Sequence, residues 1–199
     1  MKIALTGGIA CGKSTLAKFL QELGIRVLDA DDVVHELEAP GGGAVEEIRA
    51  RFGDSVVDAA GGVDRGRLAG IVFSDPVARR DLEAILFPRV RRILLEFAAG
   101  DRDGIRIAVI PLLFESHWES DYDIITAIAS PRSVQVERMM QTRGYTRSQA
   151  EARLAAQMPV AEKVARADFA VVNDSTPEHL KEEALRLASW LKERRENEH

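Results

Sequence analysis

Gly7-Gly8-Ile9-Ala10-Cys11-Gly12-Lys13-Ser14 is the stretch from which the rest of the chain is read. Gly7 and Gly12 bracket four residues and are followed by Lys13 and Ser14, so every fixed position of G-x-x-x-x-G-K-[ST] is filled. Ile3-Ala4-Leu5-Thr6 before it reads as a strand, and Ser14 to Leu20 opens an amphipathic helix. The glycines therefore sit at a strand-to-helix turn, where backbone N–H groups and the helix dipole converge on an anion. Lys13 is placed to reach the β and γ phosphates of a nucleoside triphosphate, and Ser14 to offer its hydroxyl to Mg²⁺. A glycine-rich turn with an exposed lysine is the plainer reading. A chance match somewhere in a chain this long is on the order of 1% at ordinary residue frequencies.

Outward from that turn, short apolar runs alternate with longer helical patterns, the signature of a parallel sheet wrapped by helices. The runs are 2–6, 26–29, 105–110, 122–129 and 168–172. The expected fold is α/β: a five-stranded parallel sheet in a three-layer α/β/α kinase core. About 75 residues between the second and third runs lack a convincing strand, far more than one crossover needs. An inserted helical subdomain over 33–98 is expected there, with helices over 44–52, 67–73 and 76–97. A polar stretch from Pro131 to about Ala165 reads as helical, and 138–165 as a small lid. The last helix, 177–195, has Leu180, Ala184, Leu187, Ala188 and Leu191 at helical spacing, and 192–199 reads as a charged tail.

Composition narrows the function classes. The 199 residues carry 46% hydrophobic and 30% charged side chains, ordinary for one compact domain with an insertion. A net charge of -5 argues against a nucleic-acid partner, which normally needs clustered Lys and Arg. Cys11 is the one cysteine, so no internal disulfide or multi-cysteine metal site is possible. With no apolar run near 18 residues and no signal-like start, a cytoplasmic chain without membrane contact is expected, as a monomer or weak homo-oligomer. Cys11 lies at a helix N-terminus beside Lys13, a setting that lowers a thiol pKa; a small residue that merely fits the loop is the alternative.

Candidate acceptor-side residues follow the second and third strands, because ligands of parallel sheets bind at the strands' carboxyl ends. Asp29 and Asp31 fall on one side of an alternating strand end, where a carboxylate can take a proton from an attacking hydroxyl or organise Mg²⁺. Capping of the helix from Val33 onward, by Asp31 or Asp32, is an equal alternative. After the third strand, Pro111, Leu112 and Leu113 can line a pocket and Glu115 can orient a sugar or amine, against core packing and one solvated acid. The absence of an Asp after that strand weakens a motor-type ATPase reading. Arg138 and Arg143 can fold over a triphosphate, or be exposed helix arginines.

These residues resemble the dephospho-coenzyme A kinase family over nearly the whole chain. The resemblance is carried by 5–9 entering the loop, Asp29-Ala30-Asp31, Pro40-Gly41, Asp64-Arg65 with Leu68 and Phe73, Leu82-Glu83 before Pro88, 111–115, Arg153 with Gln157, and Ala167-Asp168 leading to Asn173. It implies transfer of the ATP γ-phosphoryl group to the ribose 3′-hydroxyl of dephospho-CoA. On that reading Asp31 is the general base, and Lys13 and Arg138 stabilise charge. Ala10 to Thr15 hold ATP, Asn173 lies near its adenine, and the insertion takes the CoA substrate. Two departures stand out: Phe87 where the family usually has histidine, and Thr142, followed by Arg143, where it often has a second arginine. Rival readings are another small-molecule or nucleoside monophosphate kinase sharing the loop, and a nucleotide-gated regulatory protein.

Overall fold

The computed structural model describes residues 1–100 and 104–197. The last two residues of the charged tail lie outside them. The chain forms two compact units, one of Met1–Leu28 with the segment from Phe97 onward, the other of Asp29–Glu96.

The first unit holds the sheet. Its strands are β1 (Ile3–Gly7), β2 (Arg26–Asp29), β3 (Arg106–Val109), β4 (Ile124–Ala129) and β5 (Phe169–Val172), in the order β2-β3-β1-β4-β5. β1 pairs in parallel with β3 and β4, and β4 with β5. All five residues of β1 are buried, as a strand covered on both faces requires. Each of the five apolar runs became a strand: 26–29 unchanged, 2–6 shifted by one residue to end at Gly7, and the other three trimmed by one or two residues at one or both ends.

Pleating sends Ile3, Leu5, Ile107, Val109, Ile124 and Ile128 into one core. There they meet Leu16 and Leu20 of α1 (Lys13–Glu22) and Leu180, Leu187 and Leu191 of α9 (Pro177–Glu196). Full burial of one such leucine contributes about 1.5–3 kcal/mol. α9 starts on a Thr176 cap with Pro177 in its first turn. Between β4 and β5 run α6 (Arg132–Arg143), α7 (Arg147–Ala155) and α8 (Val160–Ala165), and α8 lies against β4 and β1.

The stretch read as a small lid is mostly exposed but anchored by three buried side chains. It breaks into three helices at Gly144, which takes φ 65, and around Pro159. Met139 and Ala150 are fully buried in a small cluster of their own, and Lys163 on α8 is fully buried in an ion pair.

The second unit is helical: α2 (Ala30–Glu38), α3 (Val45–Phe52), α4 (Arg65–Ser74) and the greater part of α5 (Pro76–Ala99). α4 is capped by Asp64, whose side chain accepts from the Arg67 N–H. α5 passes through Pro88, which leaves the Ala84 carbonyl without its helical donor. The one isolated β-bridge among the described residues, Val57 with Val63, also belongs here.

Candidate active site

The strand order makes a crevice between β1 and β3. The connection from β1 leads to β2 at one side of the sheet, and that from β3 leads to β4 at the other, so neighbouring strands send their chains apart. The turn after β1 is the phosphate loop; the turn after β3 is Pro111–Glu115.

The loop needs its glycines for space as well as conformation. A side chain at Gly12, where φ is 93, would place its Cβ 2.3 Å from Asn173 Nδ2. One at Gly8 would sit 2.6 Å from Gln135 Nε2. Ala10 takes φ 58 in the left-handed region without being glycine, a strained conformation that surrounding bonds must hold. Gly12 is also the N-cap of α1 and offers no side-chain cap, and the first turn of α1 has no acid. The helix thus presents uncapped N–H groups and its positive dipole end, the condition an anion site requires. Ser14 and Thr15 are exposed on that first turn. Lys13 Nζ donates to the carbonyls of Gly7 at 3.0 Å and Gly8 at 2.9 Å, which holds the ammonium over the loop.

Distant polar side chains brace this loop. Asn173, just past β5, donates from Nδ2 to Cys11 O at 2.9 Å, and its Oδ1 accepts from Arg138 at 3.2 Å. Arg138 also donates to Ala10 O at 3.3 Å and to Ser130 Oγ at 3.1 Å. Ser130 Oγ in turn donates to the Asn173 carbonyl at 2.6 Å. The Ile9 peptide is held at both ends: its N–H donates to Gln157 Oε1 at 3.2 Å, and its carbonyl accepts from Gln135 Nε2 at 2.6 Å. Arg138 and Asn173, expected at the phosphates and the adenine respectively, thus come together as struts of the loop. Asn173 is only 5% exposed, so its amide serves Cys11 and Arg138. Arg143, at the end of α6, is exposed.

Cys11 follows the second of its two readings, the small residue that fits the loop. Burial pushes its thiol up, outweighing Lys13, which pulls it down. Its side chain belongs to the core with Leu16 and Leu180. It fills space, and the Cys11 N–H donates to the Gly8 carbonyl at 3.3 Å within the loop.

The turn after β3 is also more structural than its sequence suggested. Leu113 is fully buried, which removes it from any pocket lining, whereas Leu112 is exposed. Glu115 pairs with Lys163 Nζ at 2.7 Å and accepts from Met158 N at 3.1 Å. Lys163 donates further to Pro111 O at 2.8 Å. A buried ammonium demands such partners. Glu115 is therefore committed to Lys163 and Met158 rather than free to orient a sugar.

In the helical unit, Asp29 is the N-cap of α2, its Oδ1 accepting from Asp31 N at 2.9 Å. The strand stops at Asp29, so the alternation that put Asp29 and Asp31 on one side does not apply. Asp31 is on the helix, and the cap is neither Asp31 nor Asp32. The Asp31 carboxylate is exposed and takes no hydrogen bond or ion pair from any described residue. Its carbonyl accepts from His35 Nδ1 at 3.0 Å. Nearby, Glu38 is 6% exposed, and burial pushes its carboxyl up while Arg65, with Nε 2.8 Å from Oε2, pulls it down.

Ser130, Gln135 and Lys163 escaped the sequence reading. A lysine on a six-residue helix and a glutamine on a polar one read as solvated, and no local spacing marks their partners. Gln157 is marked in the sequence by the family resemblance alone, which gives it no role. Among the described residues no cluster of three or more His, Cys, Asp or Glu side chains could hold a metal, so Mg²⁺ would rely on the Ser14 hydroxyl and on ligands from the phosphates. No described helix is long and apolar enough to cross a membrane.

Comparison with known proteins matches this architecture to one family. The dephospho-CoA kinase family model covers residues 1–179. A dephospho-CoA kinase of Geobacillus kaustophilus is 40% identical over 194 residues, covering 96% of each chain. Another, of Anaeromyxobacter dehalogenans, is 44% identical over 193 residues, covering 96% of this chain and 92% of its own. The solved dephospho-CoA kinase from Campylobacter jejuni has a TM-score of 0.66 at 26% identity, covering 93% of this chain and 94% of that one. A phosphate loop on an uncapped helix, a helical unit beginning at Asp29 and a match along almost the full length agree: this chain belongs to the dephospho-CoA kinase family.

Proposed function

We propose that this chain transfers the γ-phosphoryl group of ATP to the 3′-hydroxyl of the ribose of dephospho-CoA, giving CoA and ADP. The observation that carries the nucleotide half is the uncapped N-terminus of α1, with Lys13 over the loop and no acid in its first turn. Backbone N–H groups from Ala10 to Thr15 hold the β phosphate, and Lys13 stabilises charge on the transferring group. When bound, Mg²⁺ neutralises charge on the β and γ phosphates, and Ser14 is the side chain that holds it. The exposed Ser14 hydroxyl fits that group, whose remaining ligands would be phosphate oxygens and water.

Asp31 is the general base. Its exposed carboxylate, without a hydrogen bond or ion pair among the described residues, is available to accept the proton of the ribose hydroxyl as the oxygen attacks phosphorus. Arg138 acts as a positioning residue, through its bonds to Ala10, Ser130 and Asn173. The helical unit Asp29–Glu96 binds the CoA substrate, with exposed Leu112 a further candidate for contact. The family works on a soluble metabolite, and a cytoplasmic monomer or weak homo-oligomer fits that work.

Acceptor identity tests the reading. ADP release is measured with dephospho-CoA, AMP and adenosine as acceptors at one ATP concentration. Release dependent on dephospho-CoA, with the other two far weaker, is the expected result. Preference for AMP would make the chain a nucleoside monophosphate kinase, and acceptor-independent hydrolysis a regulatory nucleotide switch.

A further inference from the structure

The phosphate loop's most unusual contact is with Gln157. The Ile9 N–H donates to Gln157 Oε1 at 3.2 Å, which fixes the amide's orientation: oxygen toward the loop, NH₂ away from that bond. Gln157 Nε2 then has no hydrogen-bond partner among the described residues. The same side chain lines a cleft of about 210 Å³ that opens beside Gly8 and is also lined by Gln135 and Arg132. Arg132 is paired with Glu151, so the half-satisfied Gln157 amide is the donor left at the edge of the phosphate cradle, and an anionic oxygen is a group that completes it.

The backbone around Gln157 is itself fixed. The next residue, Met158, donates its N–H to Glu115 Oε1 at 3.1 Å, and Glu115 is held by buried Lys163. Lys163 is bonded in turn to Pro111, whose carbonyl also accepts from Thr6 Oγ1 at 3.3 Å on β1. A closed circuit thus runs from β1 through Pro111, Lys163, Glu115, Met158 and Gln157 back to Ile9 in the loop that β1 feeds. It sets the distance between Gln157 and the loop independently of any bound molecule. Within the loop, Ile9 lies three residues before Gly12, outside the helix N-terminus whose N–H groups take the β phosphate.

We propose that Gln157 binds the terminal phosphoryl group of ATP, its Oε1 anchored on the Ile9 N–H and its Nε2 donating to a γ-phosphate oxygen, so that it distinguishes ATP from ADP. This rests on the loop being the ATP site. It goes beyond that reading by giving a distant glutamine a direct contact and Glu115, held by buried Lys163, the task of aiming it.

Glutamate at 157 separates this role from a structural one. A carboxylate still accepts from Ile9, so a residue that only braced the loop would tolerate Gln157→Glu. A phosphate donor would not, because the carboxylate offers no N–H and repels the anion. Calorimetric titration with ATP and with ADP, alongside thermal melting, is carried out on the wild type, Gln157→Glu and Gln157→Ala. Expected are a rise of about tenfold or more in Kd for ATP in Gln157→Glu, a smaller rise in Gln157→Ala, ADP affinity within about threefold in both, and a melting temperature unchanged in Gln157→Glu. Equal effects on ATP and ADP, or no effect of Gln157→Glu on ATP, overturn the proposal. A wild type that binds neither nucleotide, or Lys13→Ala binding ATP as well as the wild type, overturns the loop reading instead.

Discussion

Two helices follow the first two strands of this chain, and their N-termini are built in opposite ways. α1 begins at Gly12 with no side-chain cap and no acid in its first turn. α2 begins at Asp29, which caps it, and adds Asp31 and Asp32 in the first turn. The first leaves its positive dipole end to an outside anion; the second satisfies itself and repels one. A phosphoryl-transfer enzyme needs both, because the donor is an anion to be held and the acceptor a hydroxyl that must lose a proton to a nearby base. The two also differ in what supports them. The cap of α2 comes from two residues away, whereas the loop of α1 is held by Asn173, Arg138, Gln135 and Gln157, all more than 100 residues distant.

That contrast can be broken at several points. The largest effect is expected at the open helix end: Lys13→Ala should lower kcat/KM by about 10³-fold or more and weaken ATP binding, since the ammonium serves ground state and transition state alike. Steady-state kinetics with an ATP titration checks both. On the long-range bracing, Lys163→Met leaves Glu115 without its cation and should destabilise the fold by about 3 kcal/mol in denaturant unfolding. The local cap of α2 is worth less, and Asp29→Ala should cost about 1 kcal/mol in the same measurement. If the two losses were equal, the distinction between long-range and local support would fail.

The smallest effect is a pH dependence in the helical unit. Glu38's carboxyl is raised by burial, so the folded chain binds its proton more tightly than the unfolded one. The stability this contributes is fully present below the unfolded value and lost as pH rises through the folded value. Melting temperature of the wild type should therefore fall relative to Glu38→Gln as pH rises from the ordinary carboxylate range. Parallel pH profiles would show that Arg65 compensates the burial.

The same contrast accounts for what the sequence made legible. Gly7, Gly12, Lys13 and Ser14 lie within eight residues, and the conformation they need is local, so spacing sufficed. The strands were readable because a doubly covered strand must be apolar at consecutive positions. The struts were not, since a bond from Asn173 to Cys11 or from Lys163 to Glu115 leaves no periodicity in either segment. At Cys11 a helix N-terminus and a neighbouring lysine favour a thiolate while a small residue that fits the loop is the alternative, and packing against Leu16 and Leu180 decides for the second. At Asp29 the error was one of boundary. The helix starts two or three residues earlier than its apolar pattern, so strand alternation was applied to helical residues.

The account turns on the division of labour between the two helix ends, and Asp31→Asn tests it most directly. The exposed carboxylate carries no hydrogen bond or ion pair among the described residues, so its replacement leaves the packing intact. ATP affinity and the rate of dephospho-CoA phosphorylation are measured on the same preparation. The expected result is a fall in kcat of about 10²–10⁴-fold with the Kd for ATP within about twofold of the wild type. Turnover near the wild-type rate, or equal losses in binding and turnover, would contradict the assignment of the base to α2.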